Sequence, residues 1–172
     1  MSVTASLDTT KKAVLSYHVI KPENVDMFVE YLDTIREFDE ISDVIPSDKA
    51  MVKTQFHEMI ENNAGFAILA VRDGRPVGCI VTSLHTLWWS KMEFLTNILI
   101  YVDPSARGTS VFRDMLNSVK EFALGVGKKL YINTVSGPET RWDTYDRIFT
   151  IMGFEKVGTS FLLRDTLRKK AA

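Results

Sequence analysis

The segment best suited to bind an anion is Arg107-Gly108-Thr109-Ser110. It follows an apolar run, 98–102, that ends before Asp103-Pro104, and it precedes apolar residues spaced three and four apart, as on one helix face. A helix that starts here leaves backbone N–H groups without partners and directs the positive end of its dipole into the loop. The segment is therefore a candidate phosphate-binding loop. Because Thr109 and Ser110 are also residues favoured at helix N-caps, an ordinary helix start is the alternative.

Other side chains capable of chemistry are isolated from one another in the sequence. Cys79 lies in an apolar run without a base nearby, which is typical of a buried structural cysteine rather than a nucleophile. His85 has no second ligand four residues on, and the other histidines are distant in sequence, so no metal site is expected. Glu93 stands at the head of the central strand, where its carboxylate could act as a base or could simply be exposed.

Two further features could recognise a cation. The first is an acidic stretch containing Glu37, Asp39 and Glu40, which is either a solvated loop or an acidic rim that attracts positive charge. The second is the adjacent pair Trp88 and Trp89 in a predicted loop, which forms either a lid over the core or an exposed binding wall.

The elements that must position these residues follow from hydrophobic patterning and turn signals. The chain is predicted to begin with a strand at 15–20, a helix with apolar positions from 25 to 35, and a helix that is capped by Ser47-Asp48 and closes near 62–65. Hairpin strands at 66–72 and 76–84 around Asp73-Gly74 follow, and then the central strand and the helix from 111 with Gly125 and Gly127 at its end. The last predicted elements are a strand at 130–135, a helix from about 136 to 152, and a strand at 154–163. The near-continuous apolar hairpin strands predict a sheet covered on both faces.

Length and composition indicate one domain spanning 1–172, with a flexible start over 1–13 and a charged tail over 164–172. A net charge of -1 does not suggest a nucleic-acid or membrane partner. The single cysteine excludes an internal disulfide, and the first residues lack the apolar core of a signal peptide. A cytoplasmic location is the expectation.

Two local patterns stand out beside this order of elements. The first is Val102-Asp103-Pro104-Ser105-Ala106-Arg107-Gly108, and the second is Phe149-Thr150-Ile151-Met152-Gly153-Phe154. They resemble the Val-x-Pro-x-x-Arg-Gly and Tyr-x-x-x-Gly-Phe patterns of the GNAT superfamily of acyl-CoA-dependent N-acyltransferases, and the order of elements is similar to that of the family from Ser16 to Leu163.

The resemblance implies an α/β fold with a mixed, mostly antiparallel central sheet, helices on both faces, and strands splayed at a cofactor cleft. It implies transfer of an acetyl group from acetyl-CoA to a primary amine by direct attack, without a metal, with a backbone N–H of the central strand stabilising the tetrahedral intermediate. The cofactor-binding residues that it implies are Ile100 and Val102 for the pantetheine arm, Arg107, Gly108, Thr109, Ser110, Val111 and Phe112 for the pyrophosphate, and Phe149.

Two positions depart from the family pattern. The pyrophosphate loop of the family reads Gln/Arg-x-x-Gly-x-Gly/Ala, so Phe112 fits only if its ring turns into the core. The family tyrosine that protonates the departing thiolate is replaced by Phe149; Tyr145, one turn earlier, is the candidate substitute, with a core tyrosine as the alternative. A CoA-binding or protein-binding module without turnover, or an unrelated phosphate-binding enzyme, remain alternative hypotheses.

The acceptor amine must lose a proton, for which Glu93 is the first candidate base and His85 the second. The resemblance places the acidic stretch and the tryptophans around the incoming amine. The predicted substrate-binding residues are Glu37, Glu40, Trp88 and Trp89. They favour a cationic acceptor, either a small molecule or a protein. A homodimer is possible.

Overall fold

The computed structural model describes residues 14–36, 48–133 and 142–157. Within these ranges the elements follow in the order β1 (Leu15–Val19), α1 (Val25–Arg36), α2 (Lys49–Glu61), β2 (Gly65–Arg72), β3 (Arg75–Thr86), β4 (Glu93–Val102), α3 (Val111–Gly125), β5 (Lys129–Tyr131) and α4 (Trp142–Ile151). Short 3₁₀ turns at Pro22–Asn24 and Pro104–Ala106 precede α1 and follow β4.

The described strands form one mixed sheet in the spatial order β1-β2-β3-β4-β5. All neighbours are antiparallel except β4 and β5, which are parallel. The β2–β3 hairpin turns at Asp73-Gly74, where both residues have positive φ angles of 51° and 79°, as the tight two-residue hairpin turn requires. The predicted hairpin and the predicted mostly antiparallel sheet are therefore confirmed.

Helices cover both faces of the sheet, as the apolar hairpin predicts. Alternate residues of β2 point to opposite sides: Ala67 and Leu69 pack with α1, whereas Phe66 and Ile68 pack with α3. The residues of α1 that carry the predicted three-and-four spacing are all buried; they are Val25, Phe28, Val29, Leu32 and Ile35. We call these two sides the α1 face and the α3 face.

The helix ends show which turn signals decided the structure. Asp48 caps α2 as predicted, since its carboxylate accepts bonds from the N–H groups of Ala50 and Met51 at 2.9 and 3.1 Å. At the end of α3 the C-cap is Val126, so Gly125 is the last helical residue and not the cap that was predicted. Gly127 has a φ of 67° and turns the chain into β5.

Two predicted strands differ from the structure. β5 ends at Tyr131 and the strand is not formed at 132–133, because the next contact with β4 is made through a side chain and not through the strand ladder; residues 134–135 of the predicted strand lie outside the described residues. The predicted strand at 154–163 is not formed over 154–157, and its remainder lies outside the described residues. Phe154 instead packs its ring against the core of the α3 face.

Cys79 is fully buried on the α1 face, as predicted for a structural cysteine. Burial in apolar surroundings raises the pKa of its thiol, so the side chain stays a neutral thiol. Among the described helices, none combines the length and apolarity that crossing a bilayer requires.

Candidate active site

The parallel strands β4 and β5 pair over only three positions. The pairs are Phe94 with Lys129, Leu95 with Leu130, and Thr96 with Tyr131. β4 then continues to Val102, and no described strand pairs with this part of it on the β5 side. The sheet therefore opens beside the second half of β4, which leaves room for an extended ligand along one strand edge.

A β-bulge lies where the strands part. Thr82 of β3 pairs with Asn97 and Val81 pairs with Leu99, so Ile98 is the extra residue of β4. The side chain of Ile98 is exposed even though the strand around it is apolar. A bulge at this point redirects the backbone of β4, as is common beside active sites.

The backbone of the open part of β4 presents alternate groups to the cleft. The N–H of Asp103 donates to the carbonyl of Val77 on β3 at 2.9 Å. Because hydrogen-bonding groups alternate in direction along an antiparallel strand, Tyr101 bonds toward β3, and the backbone groups of Ile100 and Val102 point to the open side. The backbone groups that face the cleft thus belong to the two residues predicted to hold a pantetheine arm.

Arg107 lies at the end of this strand edge. Its Nε donates to the carbonyl oxygen of Val102 at 3.0 Å, which anchors the guanidinium beside the loop that follows β4. The residue is exposed, so the other N–H groups of its guanidinium can reach a ligand. The Arg107 side chain and the open backbone edge therefore meet at one point.

The loop between β4 and α3 is held by short-range hydrogen bonds. The carboxylate of Asp103 accepts a bond from the N–H of Ser105 at 2.8 Å, and the hydroxyl of Thr109 donates to the carbonyl of Ala106 at 2.6 Å. Hydrogen bonds from the Ser105 side chain and backbone keep the pKa of Asp103 below its usual value. Gly108 has a φ of 77°, a conformation that favours glycine.

Several N–H groups at the start of α3 lack partners. The Ser110 side chain makes no capping bond, and the hydroxyl of Thr109 accepts only a long bond of 3.4 Å from the N–H of Val111. Over the described parts of the chain, no intramolecular partner is found for the N–H groups of Gly108, Ser110, Phe112 and Arg113. A loop with free donors at a helix N-terminus is an anion-binding arrangement.

A second carboxylate, besides that of Asp103, lies close to this loop. Asp114, in the first turn of α3, accepts a hydrogen bond from the hydroxyl of Tyr17 at 2.9 Å and lies 3.6 Å from the Nε of Arg113. The neighbouring hydroxyl of Ser110, the hydrogen bond from Tyr17 and the charge of Arg113 hold the pKa of Asp114 below its usual value. Burial and the Asp114 carboxylate raise the pKa of Tyr17 to about 12. Tyr17 and Arg113 thus offset a negative charge that would otherwise oppose an anion.

Phe112 is half-buried and turns toward α4. Its ring lies 5.9 Å from the ring of Phe149, edge to face, and Phe149 in turn lies 5.6 Å from Phe154. The three rings pack on the core of the α3 face. Tyr145 is half-buried on α4, one turn before Phe149. The bulky residue at the family's Gly/Ala position is accommodated by aromatic packing.

We expect Phe112→Ala to lower the free energy of unfolding by about 2 kcal/mol, because the ring is half-buried and a fully buried phenylalanine contributes more. Urea denaturation measures the loss. Leu124→Ala, at a position of the same helix that is 77% exposed, is the matched control, and its change should stay within about 0.5 kcal/mol. A variant of Phe112 that keeps full stability and binds acetyl-CoA more tightly would show that the ring obstructs the loop instead.

Ser83 and His85 lie near the opening on the α1 face. They follow Cys79 and Val81 at alternate positions of β3, and both of those residues pack with α1. The Nε2 of His85 lies 2.6 Å from the hydroxyl oxygen of Ser83. Ser83 pairs with Thr96, the last residue of β4 that pairs with β5. The serine hydroxyl therefore stands next to the opening, with the imidazole behind it.

Glu93 has a different environment from the one expected for a base. It pairs with Thr86, which puts it on the side of the sheet opposite His85. Its Oε2 lies 2.5 Å from the Nζ of Lys128, just after α3. The carboxylate is thus held by an ion pair at the closed end of the β4–β5 pair.

Two tyrosines complete the α1 face near the open strand. The rings of Tyr31 and Tyr101 lie 6.5 Å apart, and the buried hydroxyl of Tyr31 has no hydrogen-bond partner among the residues that the structure describes. Burial raises the pKa of both phenols, so they remain neutral at physiological pH. No local sequence pattern marks either tyrosine as part of a site.

Trp88 and Trp89 form an exposed pair. They are 90% and 65% exposed in the β3–β4 loop, and their rings lie 5.0 Å apart, so the lid-over-the-core alternative does not apply. Glu37, Asp39 and Glu40 lie outside the described residues. Within the described ranges no cluster of three or more His, Cys, Asp or Glu side chains could hold a metal ion.

Comparisons with known proteins identify the class. The sequence profile of the acetyltransferase (GNAT) family matches residues 30–149. The chain belongs to the GNAT acetyltransferase family. No curated protein matches the sequence.

Solved structures share the fold at low identity. An aminoglycoside acetyltransferase from an uncultured soil metagenomic sample aligns with a TM-score of 0.67 and 15% identity over 87% of this chain and 97% of that chain. A predicted acetyltransferase with acetyl-CoA from Clostridium acetobutylicum aligns with a TM-score of 0.64 and 13% identity over 87% and 96%. A ribosomal-protein-alanine N-acetyltransferase from Brucella melitensis aligns with a TM-score of 0.60 and 16% identity over 88% and 99%.

Proposed function

We propose that this protein is an N-acetyltransferase that moves an acetyl group from acetyl-CoA to a primary amine by direct attack. The observation that carries the proposal is the set of N–H groups of Gly108, Ser110, Phe112 and Arg113, which have no partner among the described residues and lie at the end of the open strand edge of β4. The loop suits a pyrophosphate, and the edge suits an arm of amide groups. The residues present therefore fit acetyl-CoA, which would supply an activated thioester.

In this proposal each part of the cofactor has its own residues. The loop from Arg107 to Phe112 would hold the pyrophosphate, chiefly through backbone N–H groups and the Arg107 guanidinium. Ile100 and Val102 would pair with the pantetheine arm through their backbone groups. Phe149, in contact with Phe112, lies beside this path.

We propose that His85 is the base that accepts the proton lost by the acceptor amine, and that the hydroxyl of Ser83 relays it. The hydroxyl of Ser83 lies next to the opening and 2.6 Å from the imidazole, so it can pass a proton from the amine to Nε2 of His85. Glu93, the first candidate from the sequence, is the weaker choice because Lys128 already holds its carboxylate. Tyr145 is kept as the candidate donor to the departing thiolate.

We propose a cationic amine as the acceptor. The exposed rings of Trp88 and Trp89 can hold a cation over their faces. Glu37 and Glu40, which follow the end of α1 in the sequence, would add negative charge that attracts a cation. Structures of two aminoglycoside acetyltransferases are among the structural neighbours, and one of these proteins was determined in complex with sisomicin. An aminoglycoside or a similar polyamine is therefore the first acceptor class to test.

A CoA-binding module without turnover is the second candidate. The observation in its favour is the aromatic contact between Phe112 and Phe149, which occupies two positions where the family pattern has a small residue and a tyrosine. Such a protein would bind acetyl-CoA and release no thiol.

Calorimetric titration with acetyl-CoA and with free CoA separates these candidates when it is combined with a thiol-release assay over a panel of amines. We expect acetyl-CoA to bind and to raise the melting temperature, and we expect thiol release with cationic amines but little with acidic amino acids. Binding without thiol release for any amine would favour the module. Absence of binding by both ligands would contradict the proposed function.

A further inference from the structure

Hydrogen bonds from side chains link β4 to the chain after β5 at the point where the two strands separate. In a continued parallel ladder, the pairing of Thr96 with Tyr131 would be followed by a bond from the N–H of Asn133 to the backbone carbonyl of Asn97. The N–H of Asn133 donates instead to the side-chain Oδ1 of Asn97 at 2.6 Å. The backbone ladder therefore stops because the Asn97 side chain takes the place of the backbone carbonyl, and the N–H of Asn133 still has a hydrogen-bond partner.

The Asn97 amide makes a second bond to the same residue. Its Nδ2 donates to the carbonyl oxygen of Asn133 at 2.9 Å, so the amide pairs with both backbone groups of Asn133, as a peptide unit would. The Nδ2 of Asn133 also donates to the hydroxyl oxygen of Thr96 at 2.9 Å. We call these three bonds the asparagine clasp.

The clasp lies directly before the bulge at Ile98. Paired strands lie about 4.8 Å apart, and a side-chain amide placed between them must widen that spacing. The open edge, on which the backbone groups of Ile100 and Val102 face the cleft, therefore begins shortly after the clasp. The apolar pattern of β4 does not require an asparagine at position 97. Both hydrogen bonds of the Asn97 side chain among the described residues belong to the clasp.

We infer that Asn97 and Asn133 are positioning residues for acetyl transfer: the clasp fixes where the sheet opens and so sets the place of the thioester along β4. This inference rests on the proposed use of acetyl-CoA. The clasp does not touch the reacting atoms, and it acts through the backbone that it holds apart. Small displacements of a bound thioester have large effects on rate, because catalysis depends on alignment of the reacting groups.

The test replaces Asn97 by valine, which favours strand pairing and removes all bonds of the clasp amide. We expect the amide of Ile100 to exchange with solvent more slowly in the ligand-free variant, because the ladder can extend past residue 97. We also expect acetyl-CoA to bind at least about tenfold more weakly, while the melting temperature stays equal or rises. A general folding defect would instead lower the melting temperature and speed exchange.

Two further variants remove fewer bonds of the clasp and should weaken acetyl-CoA binding by smaller amounts. Asn97→Asp keeps an acceptor for the N–H of Asn133 but loses the donor, so its binding should fall between wild type and Asn97→Val; it carries the test if the valine variant does not fold. Asn133→Ala removes only the bond to Thr96 and should weaken binding by about two- to threefold. Asn117→Val, at an exposed site on α3, is the control.

Unchanged exchange at Ile100 in Asn97→Val would overturn the inference, as would binding equal to wild type. If the wild-type protein does not bind acetyl-CoA, the proposed function fails, whereas the exchange experiment on the ligand-free protein still decides whether the clasp sets the opening. The two failures are therefore distinguishable.

Discussion

We expect Arg107→Glu to bind acetyl-CoA about a hundredfold more weakly than the wild-type protein. A guanidinium bonded to phosphate contributes about 1.5–3 kcal/mol, and a carboxylate in its place adds repulsion at the positive end of α3. The change corresponds to about 2.7 kcal/mol in binding free energy. Calorimetry with acetyl-CoA at constant, low ionic strength measures it, and the difference should shrink as salt is added.

Two matched variants separate charge from the local bond that Arg107 makes. Arg107→Gln can still donate to the carbonyl of Val102 but carries no charge, so we expect an intermediate loss of about tenfold. Lys91→Glu makes the same charge reversal in the exposed β3–β4 loop and should leave binding within about twofold. Equal affinity of the wild-type and Arg107→Glu proteins would remove the loop from the cofactor site.

Much of the fold could be predicted from local patterns. The spacing of apolar residues located α1, the Asp73-Gly74 pair located the hairpin, and Asp48 located the start of α2. These signals are local because the interactions that decide them join residues a few positions apart. The covering of both sheet faces followed from the unbroken apolar character of β2 and β3.

The site was harder to predict because its decisive contacts join distant residues. Asn97 and Asn133 are separated by 36 positions, and Glu93 and Lys128 by 35, so neither pairing leaves a periodic signal. A signal for the first existed: a polar amide interrupts the apolar run of β4 just before Ile98. The pairing of Ser83 with Thr96 depends on the β3–β4 register, which a bulge shifts and which the sequence does not reveal.

The last prediction concerns proton transfer. We expect His85→Ala to lower kcat by about a hundredfold or more with the preferred amine, while the KM for acetyl-CoA changes little. The reason is geometric, since His85 Nε2 is bonded to the Ser83 hydroxyl beside the opening, whereas the loop proposed to bind the cofactor lies at the other end of β4. Ser83→Ala should lower kcat by less, because a water molecule can replace the hydroxyl between the amine and the imidazole.

Glu93→Gln is the decisive comparison, because it removes the charge of the other candidate base and breaks its exposed ion pair with Lys128. We expect kcat to stay within about threefold and stability within about 1 kcal/mol, as is usual for exposed ion pairs. Steady-state kinetics on all three variants, at saturating acetyl-CoA, measures the differences. A hundredfold loss in Glu93→Gln, together with near-normal turnover in His85→Ala, would transfer the role of base to Glu93 and place the acceptor on the α3 face of the sheet.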